Sequence, residues 1–319
     1  MTDTTQPFVS VIVAAYNSQA TMGPCLDALL ALDYPDYEII VVDNMSTDDT
    51  RAIAARYAAE NADTRRILVF DETRRGWPAA RNRAWHYSHA PLVANIDADC
   101  FADPAWLREL VAVALADPTA GAVVGRTKVQ PGATLAQQYY ASLDPFNIEK
   151  YVYGKATAHG RPCPWGGGNN VFRRELIEVV GGYDAIKYTS GADREFHRTF
   201  ERETPFHTAY APDALIWHEP RGSMREFFHN SAKYSADAVL QSPDDPAVAA
   251  HIKGYGWKNV GFVLRNTLGF FYRCARFLIG RETVPRLAQP FFWNAQALGS
   301  IWGVIKGRRR LAAEQRKES

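Results

Sequence analysis

The sequence predicts an α/β fold: a mostly parallel sheet with flanking helices, extended at the C-terminus by further helices. Two observations carry this. Short β-branched apolar runs alternate with stretches of helical periodicity, the pattern of parallel strands joined by crossover helices. Two of those runs end on aspartate, Asp43 and Asp97. In such sheets ligands gather at the carboxyl ends of the strands.

The elements follow in order. Val9–Ala15 (VSVIVAA) reads as a buried strand. Ser18 is placed to cap a helix that carries Leu26, Leu29 and Leu30 on one face. Tyr37–Val42 is a second strand, and Ser46 to Asp49 opens a helix through Tyr57. Arg66–Phe70 reads as strand, Trp77–His89 as helix and Leu92–Ile96 as strand. Pro104–Ala116 reads as a helix with Asp103 as its N-cap, and Ala122–Val124 as a strand. Beyond Gly132 the pattern turns irregular and aromatic. Trp165-Gly166-Gly167-Gly168 then offers either a flexible loop or a close approach of backbone to ligand, the second use falling to Gly167 and Gly168. Arg174 opens a last short helix, stopped at Gly181-Gly182.

Composition narrows the function. A chain of 319 residues allows one large or two small domains, and 47% hydrophobic with 22% charged residues is a soluble globular composition. A net charge of +1 gives no global nucleic-acid footprint. Cys25, Cys100, Cys163 and Cys274 form no C-x-x-C pair, against a structural zinc site or a disulfide framework. The N-terminus lacks a basic region followed by an apolar core, so a cytoplasmic location is expected. Ala14-Ala15-Tyr16-Asn17 after the first strand is no glycine-rich fingerprint, and no P-loop occurs. These absences argue against dehydrogenases, methyltransferases and P-loop enzymes.

The central motif is Asp97-Ala98-Asp99. If the extended geometry persists past the strand end, alternation points both carboxylates the same way. Paired oxygen ligands suit a hard divalent cation that also takes phosphate oxygens, whereas a bland surface turn is the alternative.

Five motifs, in order, resemble family 2 glycosyltransferases, with their nucleotide-sugar-binding GT-A fold. They are Ala15-Tyr16-Asn17; Asp43-Asn44-Met45-Ser46-Thr47-Asp48; Gly76-Trp77-Pro78-Ala79-Ala80-Arg81-Asn82; Asp97-Ala98-Asp99; and Arg173-Arg174 through Asp193, followed by His218. The resemblance runs from about Phe8 to Tyr234. It implies a catalytic domain over 1–234 and a C-terminal extension over 235–319. It further implies that Asp43 accepts a hydrogen bond from the base and that Ala15, Tyr16 and Asn17 border base and ribose. Arg81 lies near the nucleotide in this reading, or is a helix-surface charge. Asp97 contacts ribose or a metal-bound water. Asp99 ligates Mn2+ or Mg2+, and His218 is either a third ligand or a packed histidine. Asp193 matches the family's catalytic base, although the preceding glutamate of the motif is Ala192 here, and Glu195 is the fallback. The implied reaction is an inverting transfer from a nucleotide-diphosphate sugar to a saccharide or lipid-linked acceptor in a cell-surface glycan pathway. The Q-x-x-R-W motif of processive relatives is absent. Nucleotidyl transfer and a non-catalytic binding or scaffold role are the competing readings.

The C-terminal segment has a different character. Residues 257–310 hold ten Lys/Arg and one acid, Glu282, leaving the remainder at −8. At 100° per residue, Lys258, Arg265, Arg273 and Arg276 share an arc of about 80°, opposite Val260, Leu264, Phe271 and Leu278. Those charges argue against a transmembrane span. A basic amphipathic helix on an anionic membrane surface, helped by Lys306 to Arg310, is one reading, and a helix packed on its own domain is the other.

Overall fold

The computed structural model describes residues 6–148, 167–185, 192–220, 222–241, 246–280 and 284–318. Trp165, Gly166, Ser190, Gly191 and Cys163 lie outside the described residues, as do the side chains of Lys258, Val260 and Arg286. The chain divides into two compact units, residues 1–129 with 146–219, and residues 130–145 with 220–319.

The first unit holds an eight-stranded sheet. Its strands are β1 (Val9–Ala15), β2 (Tyr37–Asp43), β3 (Ile67–Asp71), β4 (Leu92–Asp97), β5 (Cys100–Ala102), β6 (Ala120–Val129), β7 (Asn169–Arg173) and β8 (His207–His218), in the order β3-β2-β1-β4-β7-β6-β8-β5. Strands β3, β2, β1 and β4 are parallel, as expected. The remainder is mixed: β7 runs antiparallel to β4 and to β6, β5 antiparallel to β8, and β6 parallel to β8. Four of the seven strand pairings are parallel, so the sheet is mostly parallel as expected, with β7 and β5 as its antiparallel members.

The helices of this unit are α1 (Gln19–Leu30), α2 (Thr50–Glu60), α3 (Trp77–Tyr87) and α4 (Trp106–Ala116). In the second unit lies α5 (Leu135–Leu143), after which α6 (Arg174–Val180) and α7 (Ala192–Glu203) return to the first. Side-chain alternation sends β1 and β2 into two cores. Val9, Val11, Val13, Ile39 and Val41 pack with Met22, Cys25, Leu26 and Leu29 of α1 and Trp106 of α4. Ile12, Ile40 and Val42 face Ala80, Ala84 and Trp85 of α3 and Phe196 and Phe200 of α7. A strand buried on both faces has to be apolar throughout, which is why these runs read so clearly.

Two expected caps are corrected. Ser18 makes no side-chain cap, since its hydroxyl donates to the Tyr16 carbonyl while its backbone carbonyl receives the Met22 N–H. The fourth helix starts at Trp106. Asp103 sits ahead of it, with Oδ1 accepting from Ala105 N at 3.0 Å and its carbonyl accepting from Trp106 N. The short helix α6 does stop where glycine was expected, at Gly181 with φ +80°.

The second unit is helical: α5, α8 (Met224–Gln241), α9 (Pro246–Leu278) and α10 (Val284–Glu318). Gly299, Gly303 and Gly307 of α10 lie against the Phe228, Ala232 and Ala236 carbonyls of α8, so close that a Cβ at any of them would overlap α8 backbone. No helix among the described residues is long and apolar enough to cross a membrane.

Candidate functional site

The site grows from the carboxyl ends of β2, β1 and β4. Ala15 pairs with Asp43, and Ala14 with Asp97. Two strand spacings therefore put Asp43 and Asp97 on one rim, roughly 10 Å apart. Beyond β1 and β2 the chain turns sharply, with Asn17 at φ 48° and Met45 at φ 64°. The two turns hold each other. Asn17 Oδ1 accepts from Thr47 N at 2.8 Å, Ser46 Oγ accepts from Asn17 N at 2.9 Å, and Asp43 Oδ2 accepts from Ser46 N at 3.1 Å. The other oxygen of Asp43, Oδ1, is buried without a hydrogen-bond partner. A buried carboxylate oxygen left bare is costly, which leaves it open to a donor from outside the protein. Tyr16 is half exposed at the same edge.

Asn44 is a residue the sequence analysis passed over. It is buried, its Oδ1 accepts from Gly76 N at 2.7 Å, and its Nδ2 donates to the Glu72 and Arg74 carbonyls. It thereby fastens the Asp43 turn to the start of α3. Its position directly after a strand-end aspartate was the available signal. Gly76 enters α3 at φ +124°, a conformation costly for other residues.

Arg81, on α3, is not a surface charge. It is 1% exposed, lies 4.6 Å from the Trp77 ring centroid, and its Nη2 donates to Asp97 Oδ1 at 2.6 Å. The Asp97–Asp99 pair forms differently from the strand-alternation expectation. Strand β4 ends at Asp97, Ala98 and Asp99 make a tight turn, and β5 begins at Cys100. Asp99 is placed by that turn and by its partner on β8: His218 Nε2 lies 3.5 Å from Asp99 Oδ2. His218 Nδ1 lies 2.5 Å from the Glu219 carbonyl. A carbonyl only accepts, so Nδ1 donates to it, and Nε2 is the ring atom turned to the carboxylate. A cation could take the place between Nε2 and the carboxylate, and a histidine fixed by a carbonyl is the usual form of a metal ligand. Part of the Asp99 carboxylate reaches solvent. Protein around the rest strips its water and holds the carboxyl above its ordinary range, Asp97 adding to this and His218 opposing it. These residues fit a divalent cation.

The glycine segment closes the group. A Cβ at Gly168 would overlap the Asp97 carboxylate. At Gly167 it would meet Asp193 Oδ2 at 3.2 Å and Arg81 Nη1 at 3.6 Å. Hence Asp97, Arg81, both glycines and Asp193, in the first turn of α7, converge. One turn on, His197 is buried, with Nδ1 3.1 Å from Thr208 Oγ1 and Nε2 unpartnered. Burial pushes its pKa down to about 3. Arg173 and Arg174 belong to the motif series yet hold backbone elsewhere: Arg173 Nε donates to the Ala120 carbonyl at 3.0 Å and Arg174 Nε to Ala90 at 2.8 Å.

A strand-end rim with a bare carboxylate oxygen, a cation-type donor pair and glycine-lined carboxylates is the kind of site that open α/β sheets form at the carboxyl ends of their strands. The profile of Glycosyl transferase family 2 matches residues 10–181, more than half of the chain. The chain belongs to that family. It is 36% identical over 182 residues to glycosyltransferase AglE of Haloferax volcanii, covering 56% of this chain and 57% of the relative. It is 24% identical over 233 residues to the probable glycosyltransferase YdaM of Bacillus subtilis, covering 72% and 54%. The chain thus spans little more than half the length of these curated relatives. Among solved structures, the mannosyltransferase PcManGT of Pyrobaculum calidifontis, in complex with GDP-Man and Mn2+, superposes with TM-score 0.53 at 22% identity, covering 98% of this chain and 76% of that one. Glucosyl-3-phosphoglycerate synthase of Mycobacterium tuberculosis, with Mg2+ and UDP, gives 0.52 at 20%, covering 74% and 79%. The fold is the GT-A fold that the motifs led one to expect.

Proposed function

We propose that this chain is an inverting, divalent-cation-dependent glycosyltransferase. It moves one sugar from a nucleotide-diphosphate donor to a hydroxyl of a saccharide or lipid-linked acceptor, in a cell-surface glycan pathway. The observation that carries the reading is the meeting of Asp193, Arg81 and Asp97 across Gly167 and Gly168, with Asp97 two residues along the chain from the Asp99–His218 donor pair. In this reading Asp43 takes a base N–H on its bare oxygen, and Tyr16 and Asn17 border base and ribose. Arg81 holds Asp97 toward the cation, and Asp99 and His218 bind it. A bound Mn2+ or Mg2+ supplies charge neutralisation for the departing diphosphate. Asp193 removes the acceptor proton as general base. The metal-bound nucleotide complexes of the two solved neighbours support this assignment. The residues 1–234 serve as catalytic domain. Incubation with a panel of nucleotide sugars and Mn2+ tests the function. Cation-dependent release of a nucleoside diphosphate from at least one donor is expected. Nucleotide binding without turnover on any donor, with acceptors supplied, would favour a binding role, and release of pyrophosphate would favour nucleotidyl transfer.

The second unit is proposed to hold the protein on the inner face of the cell membrane. Leu264, Leu268, Phe271, Tyr272 and Leu278 of α9 are 60–83% exposed and share an arc of about 120° at 100° per residue. Arg265 and Arg276 follow at its edge, each near an aromatic ring, Phe262 and Tyr272. Exposed Lys306, Arg308, Arg309 and Arg310 of α10 add charge. An apolar stripe edged by arginine matches a helix lying in a lipid interface. Replacing Arg308, Arg309 and Arg310 by Gln should reduce flotation with anionic vesicles, each charge contributing about 1 kcal/mol near such a surface. Equal recovery on neutral and anionic lipid, unaffected by salt, would contradict it.

A further inference from the structure

Beside the donor pair stands a thiol that the proposed reaction leaves unused. Cys100 pairs directly with His218 in the β5–β8 ladder, so the two side chains leave the same face of the sheet. Its Sγ lies 3.7 Å from Asp99 Oδ1. One ligand atom each from Asp99, Cys100 and His218 all lie within 4.8 Å of one another. Metal–oxygen, –nitrogen and –sulfur bonds are about 2.0–2.3 Å, so donors on a single cation lie at most about 4.6 Å apart. Around a tetrahedral ion such donors lie about 3.3–3.8 Å apart, so the cluster closes on one ion with shifts of up to about an ångström.

We propose that Cys100 is a third ligand of this cation site, which therefore also takes borderline and soft divalent cations (Zn2+, Co2+, Cd2+) in an oxygen–nitrogen–sulfur set. The inference rests on reading Asp99 and His218 as cation ligands. Softness decides between the two modes. Mg2+ and Mn2+ prefer carboxylate and water, and leave the thiol protonated and idle. A thiophilic cation breaks the S–H bond, forms a sulfur–metal bond and releases the proton to solvent. Thiophilic ions then compete at the position the transfer reaction needs for a hard one. The second buried thiol nearby, Cys25, points its Sγ to the Asp97 carbonyl at 3.8 Å and stands outside the donor cluster, which makes it an internal control.

Titration of the full chain with Co2+, with and without UDP or GDP, tests this by absorption. Binding should bring cobalt d–d bands and an intense near-ultraviolet sulfur-to-cobalt charge-transfer band. The charge-transfer band should persist in Cys25→Ala and vanish in Cys100→Ala, while the d–d bands remain. Cys100→Ser, which preserves volume, should behave like Cys100→Ala, and circular dichroism reports that each variant is folded. Cd2+ affinity should fall at least 10- to 100-fold in Cys100→Ala, the range that loss of even an outer-shell partner costs, with Mg2+ affinity changing far less. Cobalt binding to wild type without a sulfur band, or a band that survives Cys100→Ala, overturns the inference and leaves the proposed function standing. Absence of any Co2+ binding, with or without nucleotide, overturns both.

Discussion

His197 makes the acid sensitivity of this fold calculable. The imidazole is 1% exposed among Phe172, Phe196 and Phe200 and is held neutral, with a folded pKa near 3. In the unfolded chain it titrates near 6.5. Between those values the unfolded state binds the extra proton, so stability contributed by the neutral ring is complete above about pH 6.5 and falls as pH drops toward 3. From about pH 8 to about pH 5 the loss is the unfolded ring's protonation free energy, about 2 kcal/mol. Because the folded value lies well below 5, that figure depends on the unfolded pKa and hardly on the folded one. His197→Asn can keep the contact to Thr208 and removes the titration. Denaturant unfolding of both proteins at the two pH values gives the answer as a difference of differences, so any cavity cost of the variant cancels. Wild type should lose about 2 kcal/mol more than His197→Asn over that interval. Equal pH dependence would mean that His197 is not held neutral. The consequence reaches the site, since His197 lies one turn beyond Asp193 on α7, and acid that loosens this helix also moves the proposed base.

Further expectations concern the rim. Gly168→Ala places a methyl against the Asp97 carboxylate and should displace it from Arg81. Cation-dependent nucleotide affinity should fall with the fold retained, and unchanged affinity would remove the glycine from the site. Asp193→Asn, nearly isosteric, should lower transfer by roughly 10²–10⁴-fold with donor affinity little changed. An unchanged rate where chemistry limits would transfer the role to Glu195.

The parallel half of the sheet was legible because β1, β2 and β4 must be apolar on both faces. Of the other half, only β6 was, over Ala122–Val124. Strand β7 opens on Asn169-Asn170, whose side-chain oxygens are met by donors far away in sequence, Trp106 Nε1 of α4 donating to Asn169 Oδ1 and Asn95 Nδ2 of β4 to Asn170 Oδ1, each at 2.8 Å. Strand β8 carries Pro212-Asp213 inside it, tolerated because its pairing with β6 shifts register there, from Ala211 opposite Gly125 to Leu215 opposite Arg126. Strand β5 has three residues, too few for any periodicity. At the site, the aspartates of the rim were readable from strand ends. The burial of Arg81 and the facing of His218 and Asp99 were not, because each depends on elements far apart in sequence. The alternation argument for Asp97 and Asp99 gives way to the turn at Ala98-Asp99, which takes Asp99 out of strand β4.

The central claim is that this rim binds a nucleoside diphosphate through a cation held by Asp99. Isothermal titration of UDP and GDP into the full chain, with Mn2+ and then with EDTA, tests it most directly, using wild type and Asp99→Ala. One of the two nucleotides should bind wild type strongly with Mn2+, and binding should collapse both with EDTA and in the folded Asp99→Ala variant. Affinity that is the same with Mn2+ and EDTA, or unchanged in Asp99→Ala, would contradict the account.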